Sequence, residues 1–238
     1  MLELSIVLPT YNEKENIAIL IPTLERILKE NKLEGEIIVV DDSSPDGTAE
    51  EAKNLNKKYK NIKVILRTKK EGIGVALREG YNKSRGSIII SMDSDMSFDT
   101  LVMLDLIKKI REGYDLVIGY KVGYKAQTAK KSLQGIVSKL GNKFMSIISG
   151  VKIHDFTPNF RAIKKEAWQA ISPKEKTNVF LFEMVLLVKH KGFKIGEVPV
   201  TFKDRVYGES KIRISKEIPK FLSKSVILSI KSRLNMIK

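Results

Sequence analysis

"SIIISMDSDMSFD", residues 87–99, is an apolar run that ends in acid: Asp93 and Asp95, with Asp99 just beyond. A short continuous apolar segment bounded by polar residues reads as a buried strand. In an extended chain, side chains at i and i+2 share a face, so the two carboxylates repel unless something positive sits between them.

Outward from this stretch the pattern repeats. The strand-like runs "LSIVLP", "EIIVVD", "IKVIL", "SIIISMD" and "DLVIG" alternate with helix-like segments near residues 14–31, 48–59, 73–84 and 99–112. Such alternation argues an α/β chain with a mostly parallel, Rossmann-like central sheet flanked by helices. Ligands of these sheets bind outside the carboxyl ends of the strands. Here those ends are polar: Thr10, Tyr11, Asn12 and Glu13 follow the first, Asp41 and Asp42 close the second, Arg67 to Lys70 follow the third, and Asp93 and Asp95 close the fourth. Acids gathered at consecutive strand ends cost free energy unless they bind a cation or hydrogen-bond a ligand. A hard divalent ion, Mg²⁺ or Mn²⁺, held by one or two carboxylates plus a substrate diphosphate, meets that need.

Each segment also has a plainer reading. "DDSSPDGT" serves as a turn and helix start, with Ser or Asp capping and Pro45 fixing φ. "EGIGVALREG" lacks the full G-x-G-x-x-G spacing, so Gly72, Gly74 and Gly80 read either as a partial phosphate loop or as packing positions.

Composition limits the chemistry. The 238 residues suit one sizeable domain with or without an appendage, and 42% hydrophobic content is ordinary for a folded core. The absence of cysteine excludes disulfides, thiolate metal sites and a cysteine nucleophile, and two histidines argue against a His-rich site. Any metal is therefore held by oxygen. "MLELSIVLPTYNE" lacks a basic n-region, which leads us to expect no signal peptide and a cytoplasmic protein. The uncharged run "SVILSI" is far shorter than the roughly 20 residues of a spanning helix.

The net charge of +15 is unevenly placed, with residues 1–120 at −2 and residues 121–238 at +17. That asymmetry points to an anionic partner such as a phosphorylated substrate, an anionic membrane or nucleic acid, or else to a solvated lysine-rich surface. No recognition-module motif supports specific nucleic-acid binding.

Taken together, "IVLPTYNEKENI", "VVDDSSPDGT", "RTKKEGIGVALREG", "MDSDMS" and "FKDRVYGESKI" resemble, in order and approximate spacing, the family 2 glycosyltransferases. The terminal G-E-S-K block is most similar to their polyprenyl-phosphate branch, that of the dolichol-phosphate mannose synthases. The likeness covers about residues 3–215. It implies a GT-A fold, a nucleotide-sugar donor such as GDP-mannose or UDP-glucose, a divalent cation, inversion at the anomeric carbon, and a dolichyl or other polyprenyl phosphate acceptor. The expected division is a catalytic domain over 1–214 and a basic amphipathic helix over 215–238.

Carried over by motif, the resemblance implies that Pro9, Tyr11 and Glu13 frame the nucleotide, with Val40 and Asp42 at base or ribose and Lys70 near the same pocket. It implies Asp93 and Asp95 as metal ligands, Ser94 within the donor site, and Ser97 at the position of a third ligand. Arg205 and Lys211 would fold over the site and neutralise the diphosphates, on a segment ordered by donor. The catalytic set is then Asp95, Arg205 and Lys211. A phosphate monoester acceptor, with a second pKa of about 6, is already ionised and needs no strong general base. Were the acceptor a hydroxyl, Asp155 would be the candidate base.

The sequence departs from the pattern on the acceptor side. Tyr120 and Lys121 stand where relatives often carry Ser-Arg, which keeps the charge and loses the guanidinium fork. Gln134 falls at a second arginine position, with Ser138 fitting the accompanying serine and Lys130 and Lys131 one turn earlier. A family-like Thr-Ser-Gly-Phe-Arg becomes "TPNFR", Thr157 to Arg161.

Residues 128–149 and 215–237 read as lysine-rich helices with apolar stripes. In the second, Ile218, Phe221, Leu222, Val226, Ile230 and Leu234 recur at spacings of three and four. Such a helix suits the cytoplasmic face of an anionic membrane, or packing on the catalytic domain. Anchoring would be peripheral or through a partner protein. A catalytically silent nucleotide-sugar-binding module is the alternative outside enzymes, since fold does not fix function.

Overall fold

The computed structural model describes residues 2–122, 140–201 and 214–237, the last with side chains from residue 219. Among the described residues seven strands form one sheet: β1 Leu4–Thr10, β2 Gly35–Asp41, β3 Ile62–Leu66, β4 Ile88–Ser91, β5 Leu116–Val122, β6 Arg161–Lys164 and β7 Ile195–Thr201. Their order is β3-β2-β1-β4-β6-β5-β7. β3, β2, β1 and β4 run parallel, as do β5 and β7, while β6 is antiparallel to both its neighbours.

The helices are α1 Lys14–Glu30, α2 Thr48–Tyr59, α3 Ile73–Lys83, α4 Met103–Arg111, α5 over 140–149, α6 Lys165–Gln169, α7 Val179–His190 and α8 Ile214–Arg233. A 3-10 turn, Thr100–Val102, precedes α4, and Asp99 caps it by accepting the Leu101 N–H at 3.0 Å.

Strand alternation sorts the core into two layers. Leu4, Ile6 and Leu8 of β1, Ile37 and Val39 of β2, and Ile88 and Ile90 of β4 face α1 and α4. Val7, Ile38, Val40 and Ile89 face α3 and α7. Both faces are covered, so the strands read as continuous apolar runs. Gly80 of α3 sits on this second layer, where an added Cβ would lie 2.4 Å from Val7 Cγ1 and 3.1 Å from Val40 Cγ2. Gly80→Ala is therefore expected to destabilise by about 1–3 kcal/mol, read as a lower denaturation midpoint.

α7 is buried on every side from Val179 to Val188, "VFLFEMVLLV", and only Lys189 and His190 at its end are exposed. Its one carboxylate, Glu183, accepts the N–H groups of Lys174 and Glu175 at 2.8 and 2.7 Å, and burial pushes its carboxyl up. α8 lies on this region: the Phe221 and Phe182 rings are 6.5 Å apart, and Leu228 and Ile237 join the core. The stripe read from sequence meets the packing at Phe221 and Leu222 and then falls out of phase. Ser225, Leu228 and Ser229 face inward, while Ile230 and Leu234 are exposed. Among the described residues no helix is long and apolar enough to cross a membrane.

The chain winds outward from β1 through β2 to β3, then returns along α3 to place β4 on the other side of β1. The order reverses between β1 and β4, so their following loops diverge and leave a crevice at their carboxyl ends.

Candidate active site

The loops after β1 and β2 are tied into one wall of that crevice. Thr10 Oγ1 donates to Asp41 Oδ1 at 3.0 Å, and the Ser44 N–H donates to Asp41 Oδ2 at 2.9 Å. Ser44 Oγ in turn accepts the Asn12 N–H at 2.9 Å. Asp46 accepts the N–H groups of Lys14 at 3.1 Å and Thr48 at 3.0 Å. Asp41 and Asp46 are thus consumed by turn and cap geometry, the plainer of the two readings of "DDSSPDGT". Asn12 and Ser43 adopt left-handed φ of 57° and 55°, which bends both loops sharply.

Asp42 is different. It is 7% exposed and ion-paired with Arg67, which follows β3. The parallel register pairs Asp41 with Leu66, so the next residues of both strands, Asp42 and Arg67, come out side by side. Burial pushes the Asp42 carboxyl up, against the opposing pull of Arg67 and Lys70. Lys70 also sets its ammonium 3.7 Å from the centre of the Tyr11 ring, a cation–π contact joining the third loop to the first. Glu13 accepts Asn16 Nδ2 at 2.6 Å, and its own N–H reaches Thr48 Oγ1 at 3.0 Å.

The opposite wall is the segment after β4. That strand ends at Ser91, earlier than its apolar run suggested, so Asp93 and Asp95 stand on the turn that follows rather than within the strand. Ser94 Oγ donates to Pro9 O at 3.4 Å and links this turn to β1. Met96 has a φ of 55°, and the Ser97 N–H donates to Asp95 Oδ1 at 3.0 Å. Asp95 and Ser97 are 5% and 2% exposed. Asp93 Oδ1 accepts Asn159 Nδ2 at 3.2 Å. Phe98 packs on Phe160, ring centres 5.6 Å apart, and the Lys121 ammonium lies 5.9 Å from the Phe98 ring. Among the described residues no group of three or more histidines and carboxylates could hold a metal by itself.

Comparison with known proteins bears on this arrangement. Residues 5–171 match the profile described as Glycosyl transferase family 2, a span that includes all four loops. The chain belongs to glycosyl transferase family 2. Among its curated relatives, "Dolichol-phosphate mannosyltransferase" of Pyrococcus furiosus is 36% identical over 89% of the chain and 60% of that protein's length. "Polyprenol monophosphomannose synthase" of Mycolicibacterium smegmatis is 31% identical over 87% of the chain and 80% of that protein. The chain thus spans about 60% of the length of the first relative. Among solved structures, mannosyl-3-phosphoglycerate synthase of Rubrobacter xylanophilus superposes with a TM-score of 0.73 at 16% identity, over 100% of this chain and 76% of that one. Glucosyl-3-phosphoglycerate synthase of Mycobacterium tuberculosis, solved with Mn²⁺, UDP and phosphoglyceric acid, gives 0.70 at 19%, over 99% and 80%. The fold is accordingly GT-A.

Of the residues singled out in the sequence, Tyr11, Glu13, Asp42, Lys70, Asp93, Ser94, Asp95 and Ser97 all fall on the four converging loops, and Pro9 stands at the end of β1 that feeds the first of them. Lys121, near the end of β5, approaches from the Phe98 side. Val40 is fully buried among core side chains, and its carbonyl accepts Thr10 Oγ1 at 3.3 Å, so only its backbone borders the crevice. Arg205, Lys211, Lys130, Lys131, Gln134 and Ser138 lie outside the described residues. Gly72 and Gly74 pack against the 175–176 backbone, where a Cβ would meet carbonyl oxygens at 2.4 and 2.6 Å. The packing reading of these glycines holds.

Asp155 is 6% exposed, and its Oδ1 accepts Asn142 Nδ2 at 3.0 Å, the Thr157 N–H at 3.0 Å and Thr157 Oγ1 at 2.8 Å. It caps the 155–158 turn, a poor situation for a proton acceptor.

Sequence reading gave no role to Arg67, Asn159 or Arg161. Arg161 is fully buried and donates to the carbonyls of Pro158, Leu181 and Phe156. Burial brings its guanidinium down to about 10, with Tyr81, Asp155 and Asp93 pulling the other way. The available signal was an Arg ending an apolar "NFR" run, which composition alone does not separate from a surface cation.

Proposed function

We propose that this glycosyltransferase moves a sugar, mannose from GDP-mannose, onto dolichyl or another polyprenyl phosphate with inversion at the anomeric carbon. The observation that carries this reading is the 36% identity, across 89% of the chain, to a protein named for mannosyl transfer to dolichol phosphate. The crevice suits the donor. Asp93 and Asp95 stand together at the switch point, and Tyr11, Asp42 and Lys70 form the wall against which a nucleotide would rest.

The donor set fits a hard cation. Two carboxylates at the end of one strand, with oxygen from Ser97 and from a substrate diphosphate, are the ligands that Mg²⁺ or Mn²⁺ takes, and the chain has no cysteine thiolate to offer. When bound there, the ion supplies Lewis-acid stabilisation of the charge that grows on the departing diphosphate. Lys211 and Arg205 add donors to that same charge, a task that needs no proton transfer. The acceptor phosphate enters already ionised, consistent with Asp155 being sequestered in a turn.

Mixing the chain with GDP-mannose or UDP-glucose, Mg²⁺ or Mn²⁺, and a short polyprenyl phosphate tests the reading. Mannosyl lipid from GDP-mannose is expected. Glucosyl lipid from UDP-glucose alone would transfer the assignment to a glucosyltransferase, and donor binding without any product would leave a silent module.

The acceptor's tail requires a lipid surface, and α5 and α8 offer one. Leu140, Phe144 and Ile147 are exposed at helical spacing on α5, as are Ile227 and Ile230 on α8 and Leu234 just past its end. Arg233 joins the two by donating to Ile147 O and Ile148 O at 3.3 and 3.1 Å. The +17 charge of residues 121–238 complements anionic headgroups at a cytoplasmic membrane face, each nearby lysine adding about 1 kcal/mol. Because the inner face of α8 belongs to the core, deleting the helix would confound folding with recruitment. The double variant Ile230→Glu, Leu234→Glu is expected to lose binding to anionic liposomes and transfer to a long-chain acceptor, while a short soluble prenyl phosphate is still used. Undiminished liposome binding would remove α8 from membrane recruitment.

A further inference from the structure

The antiparallel register of β4 and β6 pairs Ile88 with Lys164 and continues to Ser91 with Arg161. Two steps further, past the end of both strands, Asn159 falls opposite Asp93. Its side chain is used there: Nδ2 donates to Asp93 Oδ1 at 3.2 Å. Asn159 is 2% exposed, and its other amide atom, Oδ1, is buried with no hydrogen-bond partner among the described residues. A carboxylate only accepts, so the nitrogen must face Asp93 and the oxygen is left over. An orphaned buried acceptor in a native site calls for a missing donor.

The platform under Asn159 is rigid. Ser91 Oγ donates to the Asn159 carbonyl at 2.8 Å and shares a 2.7 Å hydrogen bond with the Tyr81 hydroxyl. The buried Arg161 guanidinium holds the carbonyls of Pro158 and Phe156 on the preceding turn. The amide is thus aimed by main-chain contacts that do not depend on Asp93. In the motif that "TPNFR" resembles this position is glycine, which has no side chain to aim.

We propose that Asn159 is a positioning residue of the donor site: its Nδ2 fixes the Asp93 carboxylate for the divalent cation, and its Oδ1 accepts an O–H from the bound ligand. That O–H belongs either to a water on the cation or to a hydroxyl of the donor sugar. The inference rests on the reading of Asp93 as a cation ligand. The structure contains both halves of the device, a donor already engaged and an acceptor still waiting. Removing the amide takes away one of the contacts that hold the Asp93 carboxylate, and outer-sphere partners of this kind typically change metal affinity by about 10–100-fold.

The test is Mn²⁺ binding to the full chain by electron paramagnetic resonance, with GDP and separately with GDP-mannose, in the parent, Asn159→Ala, Asn159→Gly and Asp93→Asn proteins. The two Asn159 variants are expected to keep the parent's thermal midpoint within a few degrees, bind Mn²⁺ about 10–100-fold more weakly, and show an altered bound-Mn²⁺ line shape. A loss larger with GDP-mannose than with GDP assigns the O–H to the sugar, and a loss of equal size with both assigns it to water. If Asp93→Asn loses Mn²⁺ while both Asn159 variants match the parent in affinity and line shape, Asn159 has no positioning role. If Asp93→Asn itself keeps parental affinity, the cation-site reading fails and this inference goes with it.

Discussion

Asp95→Asn is expected to reduce sugar transfer on the order of 10³-fold or more while leaving the fold in place. The substitution removes the charge and keeps the side chain's size and shape. Asp95 is 5% exposed and already accepts the Ser97 N–H through Oδ1, a bond the asparagine carbonyl reproduces. What asparagine does not reproduce is the second negative charge beside Asp93, and a hard cation in a site with two protein carboxylates loses half of that charge. Chelation with EDTA should bring the parent protein to the same level, and excess Mg²⁺ or Mn²⁺ should restore the parent but not the variant. Parental turnover in the variant, or in EDTA, would remove the metal from the mechanism.

Lys211→Ala is expected to cost turnover about 10²-fold with much less change in donor affinity. The side chain's assigned partner is charge that appears as the sugar–phosphate bond breaks, so its interaction is stronger in the transition state than with intact donor. Steady-state kinetics paired with calorimetric binding of GDP-mannose separates the two cases. A loss confined to donor affinity would make Lys211 a binding residue only. The residue lies outside the described segments, and its role rests on the "YGESK" motif and the chemistry of the leaving group.

The half of the sheet that carries the acidic crevice was legible because each of its strands is a short, mostly apolar run with a polar end, and each connecting helix has a clear amphipathic period. β1, β2, β3 and β5 and the four intervening helices stand within a few residues of the expected bounds. The rest was hidden for physical reasons. α7 is buried all round, so "VFLFEMVLLV" has no polar face to reveal its period. β6 is four residues long and enters the sheet between β4 and β5 from far along the chain.

Within the site, sequence located the loops better than it assigned their side chains. Asp41, Asp42 and Asp46 are alike on paper, yet Asp41 and Asp46 are held by turn hydrogen bonds and Asp42 by Arg67. That division depends on the β2–β3 register, which no local pattern encodes. Asn159 was noticed only as a departure from a glycine, and its meaning needed the β4–β6 pairing that sets it opposite Asp93. For α8, the lysines concealed which apolar residues face inward, because packing selected Leu228 over Ile230 and Leu234.

The claim on which the rest depends is that the Asp93–Asp95 turn is where a divalent cation meets the donor diphosphate. A crystal of the chain grown with GDP and Mn²⁺, with data collected at the manganese edge, reads this directly. The expected result is one anomalous peak at about 2.1 Å from carboxylate oxygens of Asp93 and Asp95 and in contact with the GDP phosphates. GDP bound with its manganese elsewhere, or bound at the crevice with no manganese at that turn, would contradict it.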